Sequence, residues 1–418
     1  MRWIRGYEGD EMSGESTQPG MRIPISDLRA DYLAMREEID IAIRRVIESG
    51  TFTLGEDLAS FEEEFARYCG TRFAVGVGSG TAALELALRA CGIGTGDEVI
   101  TVPNTDISTT AAISHCGASF VWVDVDPLTF NISAQRIEEK ITPRTRAILP
   151  VHLFGHPADM DPIVAIAKRH NLWVIEDAAL ATGAAHHSRK AGSIGDVGCF
   201  SLAPNKMLGA FGDAGIVVSN HREVCDRIRI LRNYGLDLSS EQGDGKARRI
   251  PVPCFVVEGF NERLDSLQAA ILRAKLPAMD ERISRRRQAA QRYNCLLAGL
   301  ELTTPYEAPE AKHVYRAYAV LVDERDRVRE HLWCKGIETK TYYVPPLHLQ
   351  PAYARLGFGS GDFPVAEEIA AKMLCLPIFP DITEEQIVAV AAALNECVPA
   401  KAGKRTHSRT PQQRRGIG

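Results

Sequence analysis

The chain has 418 residues, enough for two or three domains with a sizeable core. A formal net charge of −5 gives no overall reason to expect nucleic-acid binding, and no run nears the roughly 18 apolar residues of a membrane span. Ten cysteines stand singly without a C-x-x-C pair, and the N-terminus has no apolar stretch with a cleavage site; reduced thiols, no secretory signal and a cytoplasmic location are expected.

Residues 1–21 are polar and Gly/Ser-rich and are expected to be a disordered tail. From Asp27 to Ser49 the apolar Leu33, Met35, Ile39, Ile43, Val46 and Ile47 recur on a helical face. A second helix is predicted over Glu56 to Tyr68, with Leu58, Phe61 and Phe65 inward and Glu62 to Glu64 facing water. Phe73 to Val77 reads as a short apolar strand, followed by Gly78-Ser79-Gly80-Thr81 and a run of strong helix formers. A glycine-containing turn that opens a helix presents free backbone N–H groups and the positive end of the helix dipole, an anion site suited to phosphate. The alternative is an ordinary Ser/Thr cap. The spacing matches neither the Rossmann nor the Walker glycine pattern.

Strands and helices then alternate. Apolar strands are predicted near Glu98 to Val102, Phe120 to Val125, Ala147 to Val151 and Leu172 to Ile175, with helices over Ser108 to His115, Ser133 to Lys140 and Pro162 to His170. Near-continuously apolar strands of this kind belong to a parallel sheet covered on both faces, whose ligands gather at the carboxyl ends of the strands. Asp177 directly follows LWVIE, so it ends a buried strand, where an acid needs a partner. It is either the ion-pair partner of a protonated pyridine nitrogen or the cap of the next turn. His186-His187 falls in a predicted loop and is expected to be exposed.

A strand over Val197 to Leu202 leads into an irregular loop, and another strand starts near Gly215. Lys206 stands in that loop among Ala, Pro, Met, Leu, Gly and Phe. Desolvation lowers a lysine's pKa, and a neutral amine can attack a carbonyl to form a Schiff base; the alternative is a surface lysine. Arg222 to Arg232 reads as a helix, and Ser239 to Arg249 as a mobile loop. A long helical region begins near Leu264 and is interrupted at Pro277, where a smaller α+β domain is expected to begin. The arginine run Arg282, Arg285, Arg286 and Arg287 reads as a solvated face. Strands follow over Arg316 to Val322 and Ile337 to Tyr343, and helices over Asp326 to Lys335, Pro364 to Leu374 and Thr383 to Asn395. Thr383 and Gln386 form a capping-box signature. Residues 399–418 read as a disordered basic tail, so the expected division is a large domain over 22–277 and a small one over 278–398.

The phosphate-type turn, Asp177, Ser201 and Lys206 occur in the order that supplies a phosphate cradle, a pyridinium partner and an aldehyde-binding amine. GVGSGTAALELAL, DVDPLTFNIS, VIEDAA, GSIGDVGCFS, PNKMLGAFGDAG, LRNYG, NERLDSLQAAIL and PLHLQPAY follow in register. The chain resembles the DegT/StrS-type sugar and cyclitol aminotransferases over roughly residues 22–397. The resemblance implies an α/β fold of the pyridoxal phosphate-dependent type I class: a large domain with a mostly parallel seven-stranded sheet between helices, and a smaller C-terminal α+β domain. It implies pyridoxal 5′-phosphate (PLP) as cofactor, a keto-sugar acceptor, glutamate or glutamine as amino donor, and a homodimer with shared sites.

By resemblance, Lys206 is the Schiff-base lysine and Asp177 the acid on the pyridine nitrogen. Gly80, Thr81 and Ser201 hold the phosphate, and Asn233 reaches it from the neighbouring subunit. Asn261 and Arg263 lie near the site, and His348 belongs to the segment lining the sugar pocket. Two positions depart from the family pattern within the cofactor site: Asp106 stands where an aromatic residue usually stacks on the ring, and Leu180 replaces an amide that meets the phenolic oxygen. A third departure is Asn205, before the lysine. No metal is expected, because His152 and His156 lack supporting carboxylate spacing. The leading acceptor is a nucleotide-linked keto-deoxyhexose, with a cyclitol ketone or keto-sugar phosphate next. A PLP-dependent sugar dehydratase is disfavoured because those relatives carry histidine in place of Lys206. A regulatory protein is disfavoured because no basic recognition helix is present.

Overall fold

The computed structural model describes residues 22–237 and 253–401, so the expected N-terminal tail, the loop at 239–249 and the tail from 402 onward lie outside the described residues. Helices α1 (Leu28–Leu33), α2 (Arg36–Ser49) and α3 (Glu56–Cys69) precede β1 (Phe73–Val77) and α4 (Gly80–Ala90). Then come β2 (Glu98–Thr101), α5 (Ile107–His115), β3 (Ser119–Trp122), β4 (Thr145–Ile148), α6 (Met160–His170) and β5 (Trp173–Asp177). The short β6 (Ala185–His186) and β7 (Arg189–Lys190) form a hairpin before β8 (Val197–Ser201), β9 (Gly215–Ser219) and α7 (Arg222–Leu231).

The large sheet has the order β1-β9-β8-β5-β4-β2-β3. Only β9 runs antiparallel to its neighbours; the pairs from β8 to β3 are parallel. Alternation along the strands sends side chains to two apolar layers. Val75, Val77, Val217 and Cys199 join α4, α5 and α7 in one core. Ala74, Ile216, Val218 and Phe200 join Phe61 and Phe65 of α3 in the other. Because the parallel strands share a direction, the ends of β2, β5 and β8 and the turn after β1 open on one edge.

The rest of the chain carries α8 (Ser266–Lys275), α9 (Met279–Leu297), β10 (Leu302–Thr303), β11 (Ala311–Lys312), β12 (Tyr318–Val322), α10 (Arg325–Cys334), α11 (Pro364–Lys372), β13 (Met373–Leu376) and α12 (Glu384–Cys397). Strands β10-β12-β13 form a second sheet whose core includes Tyr293, Tyr318, Leu332 and Val390, and Ile23 from the start of the described chain. The Thr383–Gln386 capping box is present on α12.

Several local expectations give way to tertiary contacts. The Asp27–Ser49 helix breaks at Met35, whose backbone is not helical, and Leu33 and Ile47 are exposed. Glu62, expected in water, is buried and accepts hydrogen bonds from the Gly76 amide at 2.9 Å and Arg232 at 2.5 Å. Residues 134–140 form two short 3-10 turns instead of one helix. Ile337 to Tyr343 contributes isolated bridges to Ile23 and Cys375 and no strand. Arg286, expected on a solvated face, is buried and donates to Ile378 O at 2.8 Å; burial pushes its pKa down to about 9. Residues 399–401, expected in a tail, pair with 299–301.

Candidate active site

Four strand ends build one cavity of about 200 Å³. Its wall includes Ser79, Gly80 and Thr81 after β1, Thr105 and Asp106 after β2, Asp177 and Leu180 after β5, and Ser201 and Lys206 after β8. Tyr343 joins from the C-terminal part of the chain.

The turn after β1 works as a helix start first. Ser79 caps α4, its Oγ accepting from the Ala82 amide at 3.0 Å. The other first-turn amides have no acceptor within the helix and present their hydrogens, with the dipole's positive end, toward the cavity. Gly80 is required by close approach: a Cβ there would stand 2.6 Å from Ser201 Cβ and 3.0 Å from its Cα. This contact brings the Ser201 hydroxyl beside the helix start and completes a cradle for an anion. A Gly80→Ala substitution is expected to destabilise the cofactor-free protein by about 1–3 kcal/mol, because the strand backbone must shift, and to weaken phosphate binding. Chemical denaturation and phosphate titration measure the two effects.

Asp177 is buried at the end of β5. Thr109 donates its hydroxyl to Asp177 Oδ2 at 2.9 Å, and the Ala179 amide donates to Oδ1 at 3.2 Å. Thr109 Oγ1 lies 2.9 Å from Thr105 Oγ1 one helical turn away. Burial raises the Asp177 pKa, against the opposing effects of Thr109, the Ala179 amide and Lys206. Among the described residues no cationic side chain forms an ion pair with it. A buried carboxylate held only by a hydroxyl and an amide fits a cationic N–H donor in the cavity.

Lys206 sits in the loop after β8, the parallel neighbour of β5, its amide bonded to Ala203 O at 2.9 Å. Burial lowers its pKa first, and the neighbouring Arg316 guanidinium adds to this; Asp177 and Asp106 oppose it. More of the amine is therefore neutral and nucleophilic at neutral pH than for a lysine in water.

The other expected positions divide. Leu180 lines the cavity. Asp106 lines it too, yet also caps α5, its Oδ1 accepting from the Ser108 amide at 2.9 Å. Asn233, Asn261 and Arg263 form their own cluster beside the end of β1: Arg263 donates to Asn233 at 3.2 Å and to Asn261 at 2.5 Å. They are not part of this chain's cavity wall. His348 is buried among Trp122 and Phe363, 3.1 Å from Glu367, and is likewise absent from the wall. His152 has Nε2 2.8 Å from Glu176 and accepts the Ala158 amide at Nδ1, so it serves the fold. His156 similarly contacts Pro157 O and the Ala308 amide.

Thr109, Tyr343 and Arg316 were not singled out by sequence reasoning. The Thr105/Thr109 spacing of one helical turn was the available signal for the first. Tyr343 holds φ at 48°, uncommon for an aromatic residue, and burial raises its pKa well above the ordinary value. Arg316 lies beside Tyr342 and near Lys206, its buried Nε has no hydrogen-bond partner, and among the described residues it has no carboxylate ion pair. Nothing local in the sequence sets Arg316 apart from the other arginines.

Known proteins share this architecture. The model of the DegT/DnrJ/EryC1/StrS aminotransferase family matches residues 33–395. The dTDP-3-amino-3,4,6-trideoxy-alpha-D-glucose transaminase of Streptomyces venezuelae is 44% identical over 386 residues, covering 92% of this chain and 98% of that protein. The erythromycin biosynthesis sensory transduction protein EryC1 of Saccharopolyspora erythraea is 43% identical, covering 90% of this chain and 99% of that one. The crystal structure of S. venezuelae DesV in complex with a ketimine intermediate superposes with a TM-score of 0.84 at 44% identity, covering 90% of this chain and 98% of that one. A cavity that joins an anion cradle, a buried acid and a desolvated lysine at the strand ends of this sheet agrees with these likenesses: the chain belongs to the DegT/DnrJ/EryC1/StrS aminotransferase family.

Proposed function

We propose that this enzyme moves an amino group from glutamate or glutamine to a keto-sugar, a nucleotide-linked keto-deoxyhexose, in amino-sugar biosynthesis. Its cofactor is pyridoxal 5′-phosphate, as for the family. The observation that carries the reading is the meeting of Lys206, Asp177 and the Gly80–Ser201 cradle in one cavity. The dTDP-sugar transaminase named above supports the acceptor class.

When bound, the cofactor supplies an electron sink for the carbanion formed at the donor's α-carbon. Gly80, Thr81 and Ser201 hold its phosphate, and Asp177 keeps a proton on its ring nitrogen. Lys206 Nζ takes the proton from the donor's α-carbon as general base. In the second half-reaction it delivers a proton, as general acid, to the sugar carbon that receives the amine. Burial serves both steps, because a lysine fully protonated at neutral pH is no base.

Arg316 binds the donor's carboxylate in this reading, since its guanidinium lies near Lys206, its buried Nε is unpartnered, and among the described residues it has no acidic partner. Loss of a charge-assisted bond corresponds to about a 10- to 100-fold rise in donor KM for Arg316→Ala, with a smaller change in the acceptor KM. Steady-state kinetics with each substrate varied checks this.

Asn233, Asn261 and Arg263 lie outside this chain's own cavity, which supports a homodimer in which they reach the partner's site. Exposed apolar side chains at Leu33, Ile47, Phe255, Val256 and Val257 support the same assembly. The two-unit division at Pro277 belongs to the proposal, as does a cytoplasmic location, supported by ten free thiols. Among the described residues no helix is long and apolar enough to cross a membrane. The function is tested by incubating the holoenzyme with glutamate and a panel of nucleotide-linked keto-hexoses. Release of 2-oxoglutarate that depends on the sugar is expected; no release with any keto-sugar, cyclitol ketone or sugar phosphate overturns the proposal.

A further inference from the structure

Between β5 and β8 in the chain, the hairpin β6–β7 places two adjacent histidines beside the start of α6. His186 has only 2% of its side chain exposed, yet neither ring nitrogen makes a hydrogen bond. Both nitrogens face carboxylates at more than hydrogen-bond length: Nε2 is 3.5 Å from Asp159 Oδ1, and Nδ1 is 3.9 Å from Asp161 Oδ1. His187 Nε2 lies 3.2 Å from Asp161 Oδ2. One ligand atom from each of Asp161, His186 and His187 falls within 4.8 Å of the others.

A metal with bonds of about 2.0–2.1 Å in tetrahedral array separates its ligand atoms by roughly 3.3 Å. His187 Nε2 is 3.2 Å from Asp161 Oδ2 and His186 Nδ1 is 3.9 Å from Oδ1 of the same carboxylate, so rotation of the exposed Asp161 and His187 side chains has to draw the three ligand atoms, now within 4.8 Å of one another, in to that edge. Two imidazoles and a carboxylate select a zinc-class divalent ion; calcium and magnesium prefer oxygen donors. A ligating histidine commonly gives its other N–H to a carboxylate, which is the place Asp159 takes toward His186. Asp161 and His187 are more than half exposed, so an ion and a completing water have a way in. Arg189, 4.0 Å from Asp161 and half exposed, can swing outward.

We propose that Asp161, His186 and His187 form a binding site for a zinc-class divalent cation, with Asp159 orienting His186. The ion fastens the start of α6 to the β6 strand. That strand also pairs with β11, and the His187 amide donates to Glu310 O at 2.6 Å. The site thus ties a helix of the large sheet to the segment leading into β12. It is independent of the transamination reading.

The test uses full-length holoenzyme freed of metal with a chelator and titrated with Co²⁺ and Zn²⁺. One equivalent per chain is expected, with visible Co²⁺ absorption of a four-coordinate site and a rise of a few degrees in the unfolding temperature. His187→Ala and Asp161→Asn, both at exposed positions, each lose this equivalent. Asp159→Asn keeps it with about tenfold weaker affinity. Metal held by the cofactor or elsewhere on the chain persists in the His187→Ala and Asp161→Asn proteins, and equal binding by wild type and these variants overturns the proposal. So does a wild type that binds no ion.

Discussion

Lys206→Ala is expected to lower the rate of 2-oxoglutarate release from glutamate by at least about a thousandfold, with the fold retained. The magnitude follows from the proposed role, in which one side chain would both anchor the carbonyl of the cofactor and carry the proton at the donor's α-carbon; positioned acid–base groups alone contribute about 10²–10⁴. The loop around Lys206 is held by its own contacts, including Lys206 N to Ala203 O and Ala210 N to Leu202 O, so the backbone does not depend on the side chain. Met207 and Leu208, beside it, are buried in the apolar core. Unfolding temperature and turnover should therefore separate: the first stays near that of the cofactor-free wild type while the second vanishes. Turnover within tenfold of wild type would remove Lys206 from the chemistry.

Asp177→Asn is expected to reduce turnover by about a hundredfold to a thousandfold, the usual consequence of breaking a buried charge pair. Asparagine keeps the shape and can still accept from the Ala179 amide, but it cannot hold a proton on the ring nitrogen. The same substitution makes an opposite prediction for the cofactor-free chain. Burial raises the Asp177 pKa in the folded state. The folded state therefore binds this proton more tightly than the unfolded chain, and the stability it contributes is present below the unfolded value of about 3.9 and lost as pH rises through the folded value. Among the described residues no cation pairs with Asp177, so in the cofactor-free wild type its ionisation with rising pH goes uncompensated. Cofactor-free Asp177→Asn should therefore unfold at the higher temperature at neutral pH, with the gap closing below about pH 4. Equal stability across that range would show that solvent or another group already neutralises Asp177. Loss of function with gain of stability is the mark of an acid kept for a ligand.

How much of this was legible in the chain depends on the range over which each feature is encoded. The strands β1, β2, β4, β5, β8 and β9 announce themselves as apolar runs, and α3, α5, α6 and α12 as helical segments, because burial on a sheet or helix face repeats at short intervals. Asp177 and Lys206 were legible for the same reason. One interrupts the end of an apolar strand, and the other stands alone in an apolar loop. The Thr383–Gln386 cap is local too, and it formed as read.

Features made by distant segments were not legible. Glu62 looks like any helix-surface glutamate until Arg232, 170 residues away, closes on it. Arg286 reads as one charge in a run, but carbonyls at Ile378 and Tyr315 take it into the interior. Asp106 appears as an odd residue at a ring-stacking position; tertiary placement makes it both a wall of the cavity and the cap of α5. Tyr343 reaches the cavity wall, and Arg316 comes near enough to Lys206 to act on its charge, from a part of the chain whose local pattern carries no mark of it. His186 passes for a loop histidine until β11 and the start of α6 bury it between two carboxylates. By itself, the sequence determined the sheet-and-helix alternation, since periodicity acts within a few residues, and it offered Asp177 and Lys206 as candidates, each beside a structural alternative. Only the tertiary structure decided which charges are buried, and which of them face the cavity. Desolvation and pairing are properties of neighbours in space.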